Sequence, residues 1–101
     1  MNELVKQVEQ WSKDKGLDKA DSKGQFTKVV EEVGEVASAL ARSEHEMLKD
    51  GIGDVVVTLI ILAQQNGLTL EECLEQAHEE IKGRTGKLIN GVFVKESDIN
   101  E

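Results

Sequence analysis

The chain has 101 residues, 39% of them apolar and 32% charged, with no proline or tyrosine, one cysteine and a formal net charge of −8. That length suits one domain with a modest core. The negative balance argues against binding along a nucleic-acid backbone, which needs clustered lysine and arginine, and against anionic membrane surfaces.

The N-terminal run MNELVKQVEQW has no long apolar stretch, so no signal peptide is expected. The longest apolar run, Val55 to Ala63, is too short to cross a bilayer, and a cytoplasmic location is expected. Leu4, Val5, Val8 and Trp11 make one stripe, which predicts a helix from Asn2 to about Lys15 ended by Gly16. The polar, glycine-bounded GLDKADSKG reads as a loop. A second helix is predicted from Gly24 or Gln25 to about Arg42, with Phe26, Val29, Val30, Val33, Val36, Ala37 and Leu40 on its apolar side.

SEHE reads as a capping box with Ser43 as N-cap and Glu46 closing it. A third helix then runs from Glu44 to about Asn66 and stops at Gly67. TLEE repeats the signature with Thr69 and Glu72, and opens a fourth helix that turns Leu70, Leu74, Ala77 and Ile81 inward and ends near Gly83. Cys73 on that helix is read as an inert core thiol; as a lone cysteine it excludes an intrachain disulfide. The remainder, about 83–101, reads as an irregular tail or a short extended segment built on VFV. Four helices with short connections predict a single all-α domain over residues 1–101, resembling a four-helix bundle.

From Ile52 to Ala63 the third helix is apolar on nearly every side, and a helix apolar all round is buried all round. A chain this small lacks the surface to cover it, so self-association as a homodimer or homotetramer is expected.

Asp54 lies within that apolar helix, one turn after Asp50 and on the same face. On the second helix Glu31 and Glu35 are four apart, and Glu32 and Glu35 three apart. Grouped carboxylates in apolar surroundings are costly unless protonated, paired or bound to metal. A solvated acidic stripe would account for EEVGE alone, but Asp54 has apolar flanks on both sides. Together the two clusters favour a divalent site, and hard oxygen ligands without His or Cys suit Mg²⁺ or Mn²⁺. Gly34, Gly51 and Gly53 each weaken a helix beside these acids and point to close neighbours. His45 and His78 are read as bystanders.

EEVGE, followed about twenty residues later by GDVVVTL on an apolar helix, resembles the MazG-like all-α nucleoside triphosphate pyrophosphohydrolases. Their pattern is EExxE, a spacer, then ExxD. The likeness takes in the tryptophan late in the first helix, the run QFTKVVEEVGE, and KGRTGK after the fourth helix. It implies a MazG-type helical fold completed by homo-oligomerisation. The implied reaction is Mg²⁺-dependent hydrolysis of an NTP or dNTP to the monophosphate and pyrophosphate, with Mn²⁺ as an alternative ion. At matching positions it implies Glu31, Glu32, Glu35 and Asp54 as the catalytic residues, with Glu32, Glu35 and Asp54 on the metal. Glu31 is assigned either a water-mediated metal contact or the role of base.

This sequence departs from the pattern at Gly51, where the family has Glu. Asp50, one residue earlier on the same face, is read as the fourth ligand, with Gly51 leaving room for a water or a substrate oxygen. Lys28, Lys82, Arg84 and Lys87 are candidates for phosphate contacts. Lys28 is equally placed for an ion pair with Glu32, and KGRTGK equally reads as a solvated tail segment. Trp11 either stacks on the base or packs in the core; Gln25 either touches the base or only opens a helix. Two other functions fit the same residues. One is a non-catalytic acidic helical module that dimerises and binds a basic partner. The other is a phosphoribosyl-ATP pyrophosphohydrolase.

Overall fold

The computed structural model describes residues 2–99. Helix α1 spans Asn2–Asp14, and a 3-10 turn covers Leu17–Lys19. Helices α2 (Ser22–Ala41), α3 (His45–Gln65) and α4 (Leu70–Ile81) follow. Strands β1 (Gly86–Ile89) and β2 (Val92–Lys95) precede a last turn of helix, α5 (Glu96–Ile99). The fold is mainly helical, as expected, with one small sheet. Its contacts divide it into two compact units, Met1–Glu71 and Glu72–Glu101.

In the first unit α2 packs along α3, and α1 and the 3-10 turn also pack on α3. Cross-helix neighbours show that α2 and α3 run antiparallel: Ser22 meets Asn66, Gln25 meets Thr58, and Val36 meets Gly51. The core between them is small, formed by Val29, Ala39, Ile60, Ile61 and Ala63, with Ser12 and Thr58 also buried. Three side-chain amides at the end of α3 fasten the unit. Gln64 Nε2 donates to the Glu9 carbonyl at 3.1 Å, Gln65 Nε2 to the Leu17 carbonyl at 2.9 Å, and Asn66 Nδ2 to Ser22 Oγ at 3.1 Å.

The helix stops at Gly16 and Gly67 are in place, with φ of 74° and 71°. The start of α2 is earlier than expected, at Ser22 after Asp21, so Gly24 lies inside the helix. Ser43 is not the N-cap of α3. It adopts φ 55°, and its N–H bonds the Leu40 carbonyl while that of Glu44 bonds the Ala39 carbonyl. These two bonds make a Schellman motif, in which the left-handed residue closes the preceding helix. Ser43 thus ends α2, and Glu44 takes the N-cap position of α3 without a side-chain cap bond.

The expected irregular tail is mostly ordered as a hairpin. Strands β1 and β2 pair antiparallel, with Lys87 opposite Val94 and Ile89 opposite Val92. Asn90 and Gly91, at φ 54° and 79°, form the turn, as the Asn-Gly preference for two positive φ values requires. Residues 100 and 101 of the expected tail lie outside the described residues.

Burial departs from the expected pattern. On α2, Phe26, Val30, Val33 and Leu40 are exposed, and on α3 Ile52 is 52% exposed. On α4, Leu74 and Ile81 are exposed rather than inward, and Cys73 is an exposed thiol, not a core one. The glycines differ among themselves. Positions 34 and 53 face open space, whereas a Cβ on Gly51 would stand 3.1 Å from Val36 Cγ2. Gly51 is buried where α2 and α3 approach, so Val36, and not a water or a substrate oxygen, occupies the room beside it. Gly51→Leu should overpack this contact and lower stability by about 1–3 kcal/mol. Urea melts should show this, with part of the loss recovered by Val36→Ala in the double variant.

Candidate metal centre

Glu32 and Glu35 are three residues apart on α2 and so share a face, and the antiparallel packing brings Asp54 of α3 to that face. One carboxylate oxygen from each of the three lies within 4.8 Å of the others. Glu32 and Asp54 are half-buried, and Glu35 is exposed. Glu32 Oε2 is shielded from solvent and has no hydrogen-bond partner among the described residues.

Burial pushes the Glu32 carboxyl above its ordinary range, and the neighbouring charges of Glu35 and Asp54 push it further. Lys28 acts in the opposite sense. A shielded oxygen without a donor, beside two further carboxylates, is the arrangement a hard divalent cation relieves. The residues fit such an ion: the three ligands are oxygens from two rigid helices, without nitrogen or sulfur.

The other expected site residues fall into three groups. Trp11, Gln25 and Lys28 line one cleft of about 430 Å³ together with Glu32 and Asp54. Apolar surface in the cleft comes from Leu17, Val57 and Ile61. Trp11 is 48% exposed, so it is a wall of this cleft and not a core residue. Glu31 is exposed and forms a 4.0 Å ion pair with Lys28, which therefore pairs with Glu31 and not with Glu32. Asp50 is exposed and stands outside the group of three carboxylates.

Lys82, Arg84 and Lys87 belong to the second unit, where Lys82 is paired with Glu79 of α4 at 2.9 Å. Arg84 borders a polar depression with Lys95 and Ser97. Thr58 is a cleft residue that sequence reasoning passed over; a hydroxyl in the middle of an otherwise aliphatic run was the available signal.

Because the Glu32 carboxyl is raised in the folded state, folding favours its neutral form. Its contribution to metal-free stability is fully present below the unfolded value, near 4.5, and is lost as pH rises through the higher folded value. Metal-free Glu32→Gln should therefore be at least as stable as wild type at pH 7, with its advantage shrinking as pH falls. Thermal melts in chelator across pH 4 to 8 measure this.

Among the described residues no helix is long and apolar enough to cross a membrane. No solved structure matches the chain. An uncharacterized 18.2 kDa protein from the rep-hol intergenic region of Haemophilus phage HP1 (strain HP1c1) is 40% identical over 67 residues, which are 65% of this chain and 41% of the phage protein. The chain thus spans under half the length of that relative. The family model of the MazG nucleotide pyrophosphohydrolase domain matches residues 22–89, which include α2, α3 and all three grouped carboxylates. With more than half of its length matched, the chain belongs to the MazG nucleotide pyrophosphohydrolase domain family.

Proposed function

We propose that the protein is a divalent-metal-dependent hydrolase that cuts a nucleoside triphosphate, ribo or deoxy, between the α and β phosphates. The observation that carries this reading is the meeting of three carboxylate oxygens within 4.8 Å, two of them, from Glu32 and Asp54, in a cleft also lined by Trp11. Family membership supports the choice of the α–β bond, since acidic ligands alone would serve β–γ cleavage equally well.

Glu32, Glu35 and Asp54 are the proposed ligands of Mg²⁺, with Mn²⁺ as an alternative. The chemistry such an ion supplies when bound is neutralisation of phosphate charge and acidification of a water. The side chains contribute the rest. Glu32, with its shielded oxygen, fixes one edge of the site. Exposed Glu31 is free to take a water proton as base, at the expense of its weak ion pair with Lys28. Released from that pair, Lys28 is available to a phosphate from within the cleft. Asp50, exposed and outside the group of three, is the candidate fourth ligand, and Arg84 and Lys87 are further candidates for phosphate contacts.

The reading is tested by incubating the protein with Mg²⁺ and a panel of NTPs and dNTPs. Monophosphate plus pyrophosphate is expected; diphosphate plus orthophosphate would mean the wrong bond was chosen. No product from any nucleotide would favour a non-catalytic acidic module, and hydrolysis confined to phosphoribosyl-ATP would move the substrate. In the same assay Glu35→Gln should lose turnover by at least about tenfold while keeping its helical circular dichroism.

Self-association belongs to this proposal. Phe26, Val30 and Val33 of α2 and Ile52 of α3 are each at least half exposed, leaving more apolar surface than a small single chain covers well. Light scattering at micromolar concentration should give a dimer or tetramer; a stable monomer would contradict it.

A further inference from the structure

Gln25 lies one turn into α2 and lines the cleft with Trp11, Glu32 and Asp54. Its Nε2 donates to the main-chain carbonyl of Thr58 on α3 at 3.0 Å. A carbonyl oxygen only accepts, so this bond decides which way round the amide stands, with the NH₂ end on α3 and Oε1 turned from it. Among the described residues Oε1 receives no hydrogen bond. The Thr58 hydroxyl, also in the cleft, is already spent on the Val55 carbonyl at 2.7 Å.

Two other glutamines make the same kind of amide-to-carbonyl bond. Gln64 and Gln65 fasten α3 to Glu9 and Leu17, and in both the Oε1 atom is buried without a partner. They act as staples and present nothing outward. Gln25 differs, because its Oε1 is not buried and the side chain borders an open cleft. The cleft therefore offers an oriented acceptor together with an indole ring and the aliphatic surfaces of Leu17 and Ile61. An aromatic wall, apolar flanks and one directed polar group suit a flat heterocycle that carries a hydrogen-bond donor at its edge.

We infer that Gln25 is a specificity-determining residue whose Oε1 accepts an N–H from the edge of the nucleobase while Trp11 supports its face. This rests on the nucleotide reading above and adds the chemistry at the base end: the substrate must present an N–H, and a base without one is refused. Leaving a polar group unpaired on binding costs enough to make such refusal measurable.

The test compares kcat/KM for each nucleotide hydrolysed with that of a counterpart lacking the edge N–H. The pairs are ATP with purine riboside triphosphate, CTP with 2-pyrimidinone riboside triphosphate, and UTP with 3-methyl-UTP. Wild type should favour the donor-bearing member by roughly tenfold or more. Gln25→Met, which keeps the length and removes the acceptor, should bring the ratio close to one. A residue that only stapled α2 to α3 would lower both members of a pair alike and leave the ratio unchanged, and that result overturns the inference. So does a wild-type ratio near one, a comparison that needs no variant. Absence of pyrophosphate from every nucleotide is a different result, and it removes the hydrolase reading together with this one.

Discussion

Three carboxylates whose oxygens approach within 4.8 Å repel one another, and the packing of α2 on α3 holds them there against that repulsion. The effect falls on Glu32, whose carboxyl is raised by burial and by its two acidic neighbours. A cation of double charge turns the same proximity from a cost into a binding site. The packing of α2 on α3 sets that spacing.

Two features set the spacing. Gly51 removes a side chain where α3 meets Val36, and Ala39 keeps the α2 side small and fully buried, so the two helices come close near the acids. Further along the pair, the Gln25 amide bonds the carbonyl of Thr58, one turn beyond Asp54. The amides of Gln64, Gln65 and Asn66 then hold α1, the 3-10 turn and the start of α2 to the end of α3. With so small an apolar core, these directed bonds fix a register that burial alone would define loosely. The cleft that contains Glu32 and Asp54 is a product of that register, and Trp11 reaches it because α1 is tied at Glu9.

Periodicity made the first four helices legible, and glycine made two of their ends legible at Gly16 and Gly67. The acidic pairs were legible because spacings of three and four residues place side chains on one helix face. Reading failed where one residue type serves two competing roles. Ser43 has the composition of an N-cap but closes the helix before it, since its backbone sits in the left-handed region. Gly51 resembled a vacancy left by a missing ligand, yet it is a packing position, which only the partner helix reveals. The Asn90-Gly91 turn was a readable hairpin signal, passed over because the flanking strands are only four residues each. Asp50 and Asp54 do lie on one face of α3, but a face is wider than a metal site. The staples at Gln64 and Gln65 were not legible at all, because a glutamine late in a helix carries no mark of the carbonyl it will reach.

Glu32, Glu35 and Asp54 are proposed to form one divalent-cation site. Calorimetric titration of Mn²⁺ into wild type, Asp54→Asn and Glu46→Gln tests it most directly. Glu46 is exposed at the start of α3, so its variant changes the net charge equally without touching the site. Saturable binding is expected in wild type and Glu46→Gln, with its loss or marked weakening in Asp54→Asn. Non-saturating heats in wild type, or the same isotherm in all three proteins, would contradict it.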